Sequence, residues 1–186
     1  MKNQRLFDAA TIATIGLVAL SRLLPHWPNF TPVMAIALMG GVMFSDRVRS
    51  LLVPMLSMII SDLALGVVLG QEYALHSAQP WVYGCVVAIA LFGHAARSWK
   101  PVSLVLGGGS IAAIVFFLAT NFAVWVSGSM YPHSLEGLIA CYAAGLAFYR
   151  DGGNFLINGI VSTWLFASVI AVAPRMFTWL TPVKAR

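Results

Sequence analysis

The chain has 186 residues, of which 60% are hydrophobic and only 9% are charged, and its formal net charge is +5. This composition lies outside the range of soluble globular domains and is typical of a protein whose solvent is lipid. Since one membrane span takes roughly 20 apolar residues, the chain has room for about six spans, which excludes a separate soluble catalytic domain.

Apolar stretches with the length of membrane spans, or close to it, follow one another along the chain. They cover residues 7–24, 32–44, 51–70, 81–96, 102–127 and 155–174, of which the second is short for a span. A further apolar stretch, 134–149, is interrupted by Glu136 and Gly137 and predicts a helix that lies on, or dips into, the outer surface. We therefore predict an all-α membrane protein in which residues 1–186 form a single integral membrane domain of about six transmembrane helices, with an extra outer-surface helical segment.

The positions of the cations predict the orientation of these spans, because Lys and Arg beside short loops are retained on the cytoplasmic side. With the amino terminus inside, only Arg22 and Arg150 of the 11 lysines and arginines fall on the outer side. The carboxyl terminus is then cytoplasmic as well. This topology accounts for the net positive charge, so we do not expect nucleic acid to be a partner.

The predicted outer loops are longer and chemically richer than the cytoplasmic turns. They comprise residues 25–31, 71–80 and 128–153 and carry Trp, Tyr, His, Asn and acidic side chains. Because binding residues concentrate on loops held by a rigid scaffold, this asymmetry favours an outward-facing ligand site. The alternative is an aromatic belt at the outer membrane surface, formed by Trp27, Trp81, Tyr83, Trp125 and Tyr131.

Polar residues within the spans are candidates for function, since each must find a partner or face a cavity. Asp62, in the segment SDLALG, lies in the outer half of the third predicted span. It is either a functional group or an acceptor of hydrogen bonds from Ser61, Ser57 or a neighbouring helix end. Asn121 either lines an outer cavity or forms an interhelical hydrogen bond.

Cys85 and Cys141 both fall on the outer side of the predicted topology. Their spacing lacks the paired pattern of a zinc site. A disulfide, two inert buried thiols, and a soft ligand for a transition metal are all compatible with the sequence.

Ala9 and Ala13 form a pair of small residues four positions apart in the first predicted span. Such pairs allow two membrane helices to approach closely. The contact is either with another helix of the same chain or with a partner subunit.

Several segments resemble a family of small bacterial membrane proteins thought to act in transport. These segments are residues 23–41 (LLPHWPNFTPVMAIALMGG), 61–66 (SDLALG), 80–84 (PWVYG) and 116–150, which includes ATNFAVW. That family is similar to the substrate-binding S components of energy-coupling factor (ECF) vitamin transporters. The resemblance implies a six-helix bundle in the bacterial inner membrane, an outward-facing cavity, and a first helix whose small residues, here Ala9 and Ala13, meet a transmembrane coupling subunit.

Within this group the chain resembles the BtuM-type cobalamin S components, because Cys85 stands where they carry a cysteine that faces the corrin. The resemblance implies that the chain binds cobalamin as its substrate, with Cys85 as the cobalt ligand and with no prosthetic group. A thiolate bound to cobalt can also displace an axial ligand such as cyanide, which would be the one reaction of the protein. The other expected pocket residues are Asp62, Tyr83, Asn121, Trp125 and Tyr131, with loops 25–31 and 128–134 as gates.

The energy for uptake has to come from elsewhere, since the sequence contains no P-loop of the GxxxxGK type. We expect either an ECF energising module, with its coupling subunit and ATPases, or passive transport. Two other functions fit the same sequence: an S component for a different vitamin or small molecule, and a structural subunit of a larger membrane complex.

Overall fold

The computed structural model describes residues 2–74, 78–147 and 153–180, and the regular elements in these ranges are helices. Arg150, Lys184 and Arg186, and parts of the predicted outer loops 71–80 and 128–153, lie outside the described residues. The helices are α1 (Lys2–Leu20), α2 (Val33–Met43), α3 (Arg47–Val68), α4 (Gln71–Ala74), α5 (Gln79–Ala95), α6 (Pro101–Ser103), α7 (Gly109–Ser127), α8 (Leu135–Leu146) and α9 (Phe155–Leu180). A 3₁₀ turn, Ser21–Leu23, extends α1, and a π-helical turn, Leu104–Gly108, joins α6 to α7.

Among the described residues, four helices are by length and composition apolar enough to cross a membrane: Gln4–Leu23, Arg47–Val68, Pro101–Ser127 and Phe155–Phe177. Large apolar side chains point away from the bundle on their outer faces, as shown by Leu17, Leu63 and Val67, which are 71%, 65% and 84% exposed. Contiguous apolar surface of this kind is unfavourable in water and favourable in lipid. The prediction of an all-helical membrane protein is confirmed at this level.

Contacts at the two ends of the bundle fix the direction of the helices. Asp8 of α1 pairs with Arg49 at the start of α3, at 3.1 Å, and Arg22 after α1 pairs with Asp62 near the end of α3. Helices α1 and α3 are therefore parallel. Gln79, at the start of α5, donates to Asp62, so α5 runs in the opposite direction.

Helix α2 is the centre of the bundle, and residues 33–41 are all buried. Its glycines allow neighbouring backbones to approach: a Cβ at Gly41 would lie 2.1 Å from the carbonyl oxygen of Ala90, and one at Gly93 of α5 would lie 2.3 Å from that of Leu38. With 11 residues, α2 is about 16 Å long, which is well short of a bilayer. Because other helices enclose it, α2 does not need the length of a lipid-facing span.

Helix α9 begins partway along α7 and not level with the carboxyl-terminal end of α7. Gly109 packs against Thr163, and Gly159 packs against Ala113, so the two helices are antiparallel. This register places Phe155, the first residue of α9, opposite the middle of α7. About ten residues of α7, roughly 15 Å, therefore extend outward beyond the start of α9.

The predicted extra segment is helical: it forms α8, which lies alongside the carboxyl-terminal half of α7. The Ser134 hydroxyl caps its first turn by accepting the Gly137 amide at 3.2 Å. The Cys141 thiol donates to the Asn121 carbonyl oxygen at 3.3 Å, and the Tyr142 hydroxyl donates to a carbonyl of α7 at 2.8 Å. Glu136 and Gly137 interrupt the apolar pattern but belong to the first turn of α8, because the Ser134 cap stabilises the start of the helix there.

Candidate functional site

A buried polar cluster surrounds Asp62 at the end of the bundle opposite the amino terminus. One carboxylate oxygen of Asp62 accepts Arg22 Nη1 at 2.5 Å, and the other accepts Gln79 Nε2 at 2.5 Å and Tyr83 Oη at 2.7 Å. Arg22 also donates to Ser61 Oγ at 2.6 Å. The side chains of Asp62 and Arg22 are only 5% and 13% exposed, so this ion pair is well shielded from water.

Of the donors that the sequence suggested for Asp62, the neighbouring helix ends supply the bonds: Arg22 follows α1 and Gln79 begins α5. Ser61 donates to the carbonyl oxygen of Met58 and not to the carboxylate. The main partner is Arg22, which the sequence placed at the outer flank of the first span and whose long side chain reaches across to α3. The cluster joins α1, α3 and α5, and both carboxylate oxygens of Asp62 are occupied, which favours a structural role for this acid.

A separate cavity of about 340 Å³ opens at the same end of the bundle, where α9 begins partway along α7. Its walls come from α5, α7, the loop after α1 and the start of α9: Asn29, Ala78, Val82, Phe116, Thr120, Asn121, Val124 and Phe155. Ligand pockets in proteins are mostly apolar with a few polar groups and measure about 300–1,000 Å³. The composition and size of this cavity fit that description.

The polar side chains of the cavity are held by their own helix. Asn121 Nδ2 donates to the Phe117 carbonyl oxygen at 2.8 Å, and Thr120 Oγ1 donates to that of Phe116 at 2.8 Å. Asn121 therefore lies in the cavity wall, and its side-chain amide donates to the backbone of its own helix. These bonds fix the positions at which the cavity presents polar atoms to a ligand.

The loop 25–31 closes one side of this cavity and is docked on α9. Asn158 Nδ2 donates to the carbonyl oxygen of Pro28 at 2.9 Å, and the rings of Phe30 and Phe166 lie 6.2 Å apart. Asn29, which lines the cavity, has a φ of +58°, a left-handed conformation that asparagine tolerates better than most residues. The loop is thus held against α9 by a hydrogen bond and an aromatic contact.

The family of the chain follows from a match over nearly its whole length. A family model described as "Family of unknown function (DUF6580)" matches residues 2–182. The chain belongs to DUF6580. No curated protein and no solved structure matches it. The function of this DUF6580 member therefore has to be inferred from the geometry of its sites.

Cys85, the expected cobalt ligand, lies one helical turn below Val82, which lines the cavity. It is not in the cavity wall; it is 5% exposed and packs in the hydrophobic core. Cys85 and Cys141 are both free thiols in this structure, so of the states compatible with the sequence, the structure contains two buried thiols and not a disulfide.

The remaining expected pocket residues of the DUF6580 chain lie around the cavity and not in its wall. Asp62 and Tyr83 belong to the buried cluster. Trp125 Nε1 donates to the Pro132 carbonyl oxygen at 2.8 Å and so anchors the loop after α7, in which Tyr131 is partly buried. Of the expected residues, Asn121 is the one that lines the cavity.

Sequence reasoning missed most of the cavity wall. Val82, Phe116 and Val124 are apolar residues of predicted spans, and the sequence does not show which face of a membrane helix lines a cavity. Asn29 carried a usable signal, because it lies in the loop 25–31 that was predicted to be a gate.

Ala9 and Ala13 are exposed, as is Leu17 on the same helix. A Cβ built on Gly16 would meet no atom within 4 Å. The pair therefore does not pack against another helix of the described chain, which was one of the two alternatives. Instead, small residues lie on an outward-facing surface of α1.

Proposed function

We propose that the chain is the substrate-binding subunit of a vitamin uptake system in the bacterial inner membrane, with a six-span bundle like that of the ECF S components. The observation that carries this proposal is the cavity of about 340 Å³ at one end of the bundle. A pocket that opens on one side of a membrane domain, beside a docked loop, is suited to capturing a small molecule from that side.

The charges support an outward orientation of the cavity. Except for Arg22, the described lysines and arginines lie at the opposite end of the bundle: Lys2, Arg5, Arg47, Arg49, Arg97, Lys100 and Arg175. Arg22 lies at the cavity end, where Asp62 neutralises it. The positive-inside rule then places the cationic end, and with it the amino terminus, in the cytoplasm.

Six spans require α2 and α5 to be counted with the four long apolar helices. Helix α5 has 17 residues, about 26 Å, which approaches the thickness of the hydrocarbon core. Helix α2 is shorter but is shielded from lipid on all sides by the helices around it. The bundle can therefore place six helices in the membrane although only four have the length of independent spans.

The exposed surface of α1 supports the partner that the resemblance implies. Ala9, Ala13 and Gly16 leave space for another helix to approach closely. In membranes, small residues at such a surface favour helix association through van der Waals packing. A transmembrane coupling subunit of an energising module would dock here.

Cobalamin is the substrate we propose, with Cys85 as its cobalt ligand. A thiolate is a soft ligand suited to a transition-metal centre, and binding it to cobalt would displace an axial ligand such as cyanide without any change in redox state. Cys85 lies about 5 Å, one helical turn, below the cavity wall at Val82. A corrinoid is larger than drug-sized ligands and would need the cavity to open, whereas a smaller vitamin fits the present volume.

The test is the absorption spectrum of the detergent-purified chain after incubation with cobalamin and removal of free ligand. We expect stoichiometric corrinoid with shifted bands in the wild type, and bands of the free ligand, or none, in Cys85→Ala. Cys141→Ala is the matched control, because this thiol is equally buried but lies on α8 and bonds to α7. Val124→Trp fills the cavity and should abolish binding.

The other outcomes separate the parts of the proposal. Corrinoid bound equally by wild type and Cys85→Ala would reject the cobalt–thiolate bond and keep the substrate. No corrinoid, but another vitamin bound and lost in Val124→Trp, would reject cobalamin and keep the uptake subunit. If the wild type binds none of a panel of vitamins, the transport proposal fails and a structural subunit becomes the better assignment.

A further inference from the structure

Two neighbouring residues of α7 supply polar side chains to the outer cavity. Thr120 and Asn121 both line it, and each commits a hydrogen atom to the main chain of its own helix. Thr120 Oγ1 donates to the carbonyl oxygen of Phe116, and Asn121 Nδ2 donates to that of Phe117, each at 2.8 Å. These bonds orient the two side chains and determine which of their atoms a ligand can still use.

Asn121 retains one donor and one acceptor. A side-chain amide has two N–H groups and a carbonyl oxygen, so one N–H and Oδ1 remain after the bond to Phe117. No other bond of this side chain occurs in the described chain. The Thr120 hydroxyl has donated its only hydrogen and can now only accept. A ligand therefore meets one N–H and two oxygens at adjacent positions of one helix.

The unused oxygen of Asn121 is accessible, although the residue is only 9% exposed. Among the described side chains, His94 Nδ1 is the buried atom that has neither a hydrogen-bond partner nor access to solvent, and Asn121 Oδ1 is not such an atom. Gly145 of α8 contributes to this access, because a Cβ there would lie 2.9 Å from Oδ1. A group that binds at Asn121 is thus shielded from bulk water, where hydrogen bonds discriminate more strongly between ligands.

The rest of the described lining is mostly apolar and carries no charge. Ala78, Val82, Phe116 and Val124 supply hydrocarbon surface. Burying an ionised group against such a surface, without a charged partner, is costly. The described wall therefore favours a ligand that is uncharged where it meets Asn121.

We infer that the cavity selects a neutral ligand group with a hydrogen-bond donor beside an acceptor, of which a carboxamide is the simplest, over the corresponding carboxylate. A carboxamide can accept the remaining N–H of Asn121 and donate to its Oδ1. A carboxylate has no hydrogen to donate and would place its negative charge against the oxygens of Asn121 and Thr120. This inference rests on the proposed uptake function and names the chemical class of its substrate.

The selection is compatible with cobalamin and with smaller vitamins. Cobalamin carries carboxamide side chains around its ring, and one such side chain fits a cavity of about 340 Å³ that is too small for the ring. Nicotinamide, a complete small vitamin, carries the same group. The free acids nicotinate and biotin lack it and should be rejected.

The experiment measures equilibrium binding to the detergent-purified full chain for pairs of ligands that differ only in an amide or an acid. The pairs are nicotinamide and nicotinate, biotinamide and biotin, and cobalamin and its monocarboxylic acid, in which one ring amide is hydrolysed. The variants are Asn121→Leu and Thr120→Val. Thr14→Val is the matched control, because Thr14 makes the same intrahelical bond at 2.8 Å on α1 and lies outside the cavity lining.

We expect at least one amide to bind the wild type about tenfold or more tightly than its acid, because the acid loses a hydrogen bond and buries a charge. Asn121→Leu should lower the affinity for the amide about tenfold and change that for the acid less than about threefold, so the preference disappears. Thr120→Val removes one acceptor and should lower the affinity for the amide about threefold. Thr14→Val should leave both affinities within about twofold of the wild type.

The other outcomes distinguish a failure of this inference from a failure of the proposed function. Equal binding of an amide and its acid, with both lost in Val124→Trp, would overturn the selection and keep the uptake subunit. A preference that survives in Asn121→Leu would also overturn it, because another part of the wall would then select the ligand. Binding of neither member of any pair would reject the uptake function and this inference together.

Thermal unfolding of the ligand-free variants controls for folding. Thr120→Val and Thr14→Val lose the same kind of intrahelical bond and should unfold within a few degrees of each other. Asn121→Ala is a second variant that removes the amide without adding bulk, and it should lose the preference as Asn121→Leu does. Nicotinamide bound in preference to nicotinate, in a chain that binds no cobalamin, would reject cobalamin and support the selection.

Discussion

The ion pair between Arg22 and Asp62 makes a quantitative prediction for the variant Asp62→Asn. The substitution keeps the shape of the side chain but removes its charge, so Arg22 is left as an uncompensated cation that is only 13% exposed. Breaking a buried pair by removing one partner typically costs about 3–5 kcal/mol. Total stabilities of folded domains are about 5–15 kcal/mol, so we expect Asp62→Asn to lose a large fraction of its stability.

The hydrogen bonds around this pair predict that substitutions there cause losses of stability of different size. Tyr83→Phe removes one of the two donors to the second carboxylate oxygen and leaves the other, Gln79, in place. We expect a loss of about 1 kcal/mol, because Tyr83 is partly exposed and the net value of such a bond is modest. Asp62→Asn should therefore be several times more destabilising than Tyr83→Phe.

The assay is the free energy of unfolding in mixed detergent micelles, measured for wild type, single variants and the double variant Arg22→Met/Asp62→Leu. The double variant removes both charges and should recover much of the stability that Asp62→Asn loses, since no unpaired charge remains. A double-mutant cycle with Arg22→Met and Asp62→Leu alone gives the coupling energy. Additive losses, or an Asp62→Asn variant as stable as wild type, would refute the argument that the buried pair stabilises this end of the bundle.

Three further predictions concern packing, the loop and the thiols. Gly41→Ala should prevent the helices from packing normally, because its Cβ would lie 2.1 Å from a backbone oxygen of α5. Gly84→Ala should be tolerated, because its Cβ would meet no atom within 4 Å. The yield and monodispersity of each variant in detergent test both expectations. Asn158→Ala removes one of the bonds that dock loop 25–31 on α9 and should speed proteolysis of that loop. A polar maleimide should label Cys85 and Cys141 slowly in the folded protein and fully in denaturant, since they are 5% and 2% exposed; rapid labelling of the native chain would contradict this burial.

The sequence predicted the helices better than the way in which they pack against one another. Composition alone indicated a membrane protein, and the bounds of α3 and α5 lie within four residues of the apolar stretches at 51–70 and 81–96. The shortness of the stretch at 32–44 was also visible. The cause of this shortness was not visible, because it depends on the contacts of Gly40 with Pro54 of α3 and of Gly41 with Ala90 of α5, which hydropathy does not report.

The candidate site was harder to predict for a related reason. Asp62 was recognisable as an acid within a span, but the pairing with Arg22 joins residues 40 positions apart through a long side chain. The outer cavity arises because α9 begins opposite the middle of α7, and hydropathy does not report the relative height of two helices. Asn121 was found because an amide within a span is conspicuous, whereas the apolar wall residues looked like any other lipid-facing or core position.

The cluster and the cavity share one structural element, which limits how the cavity can open. In the first two turns of α5, Gln79 and Tyr83 bond to the carboxylate of Asp62, while Ala78 and Val82 line the cavity. Moving this end of α5 away from the cavity would break bonds to a buried charge. The loop 25–31 on the other side is held by hydrogen bonds from neutral side chains of α9, Asn158 and Ser162, to its backbone carbonyls and by apolar contacts, which cost much less to release. A ligand larger than the present cavity should therefore enter by displacing this loop from α9, with α5 as the fixed wall.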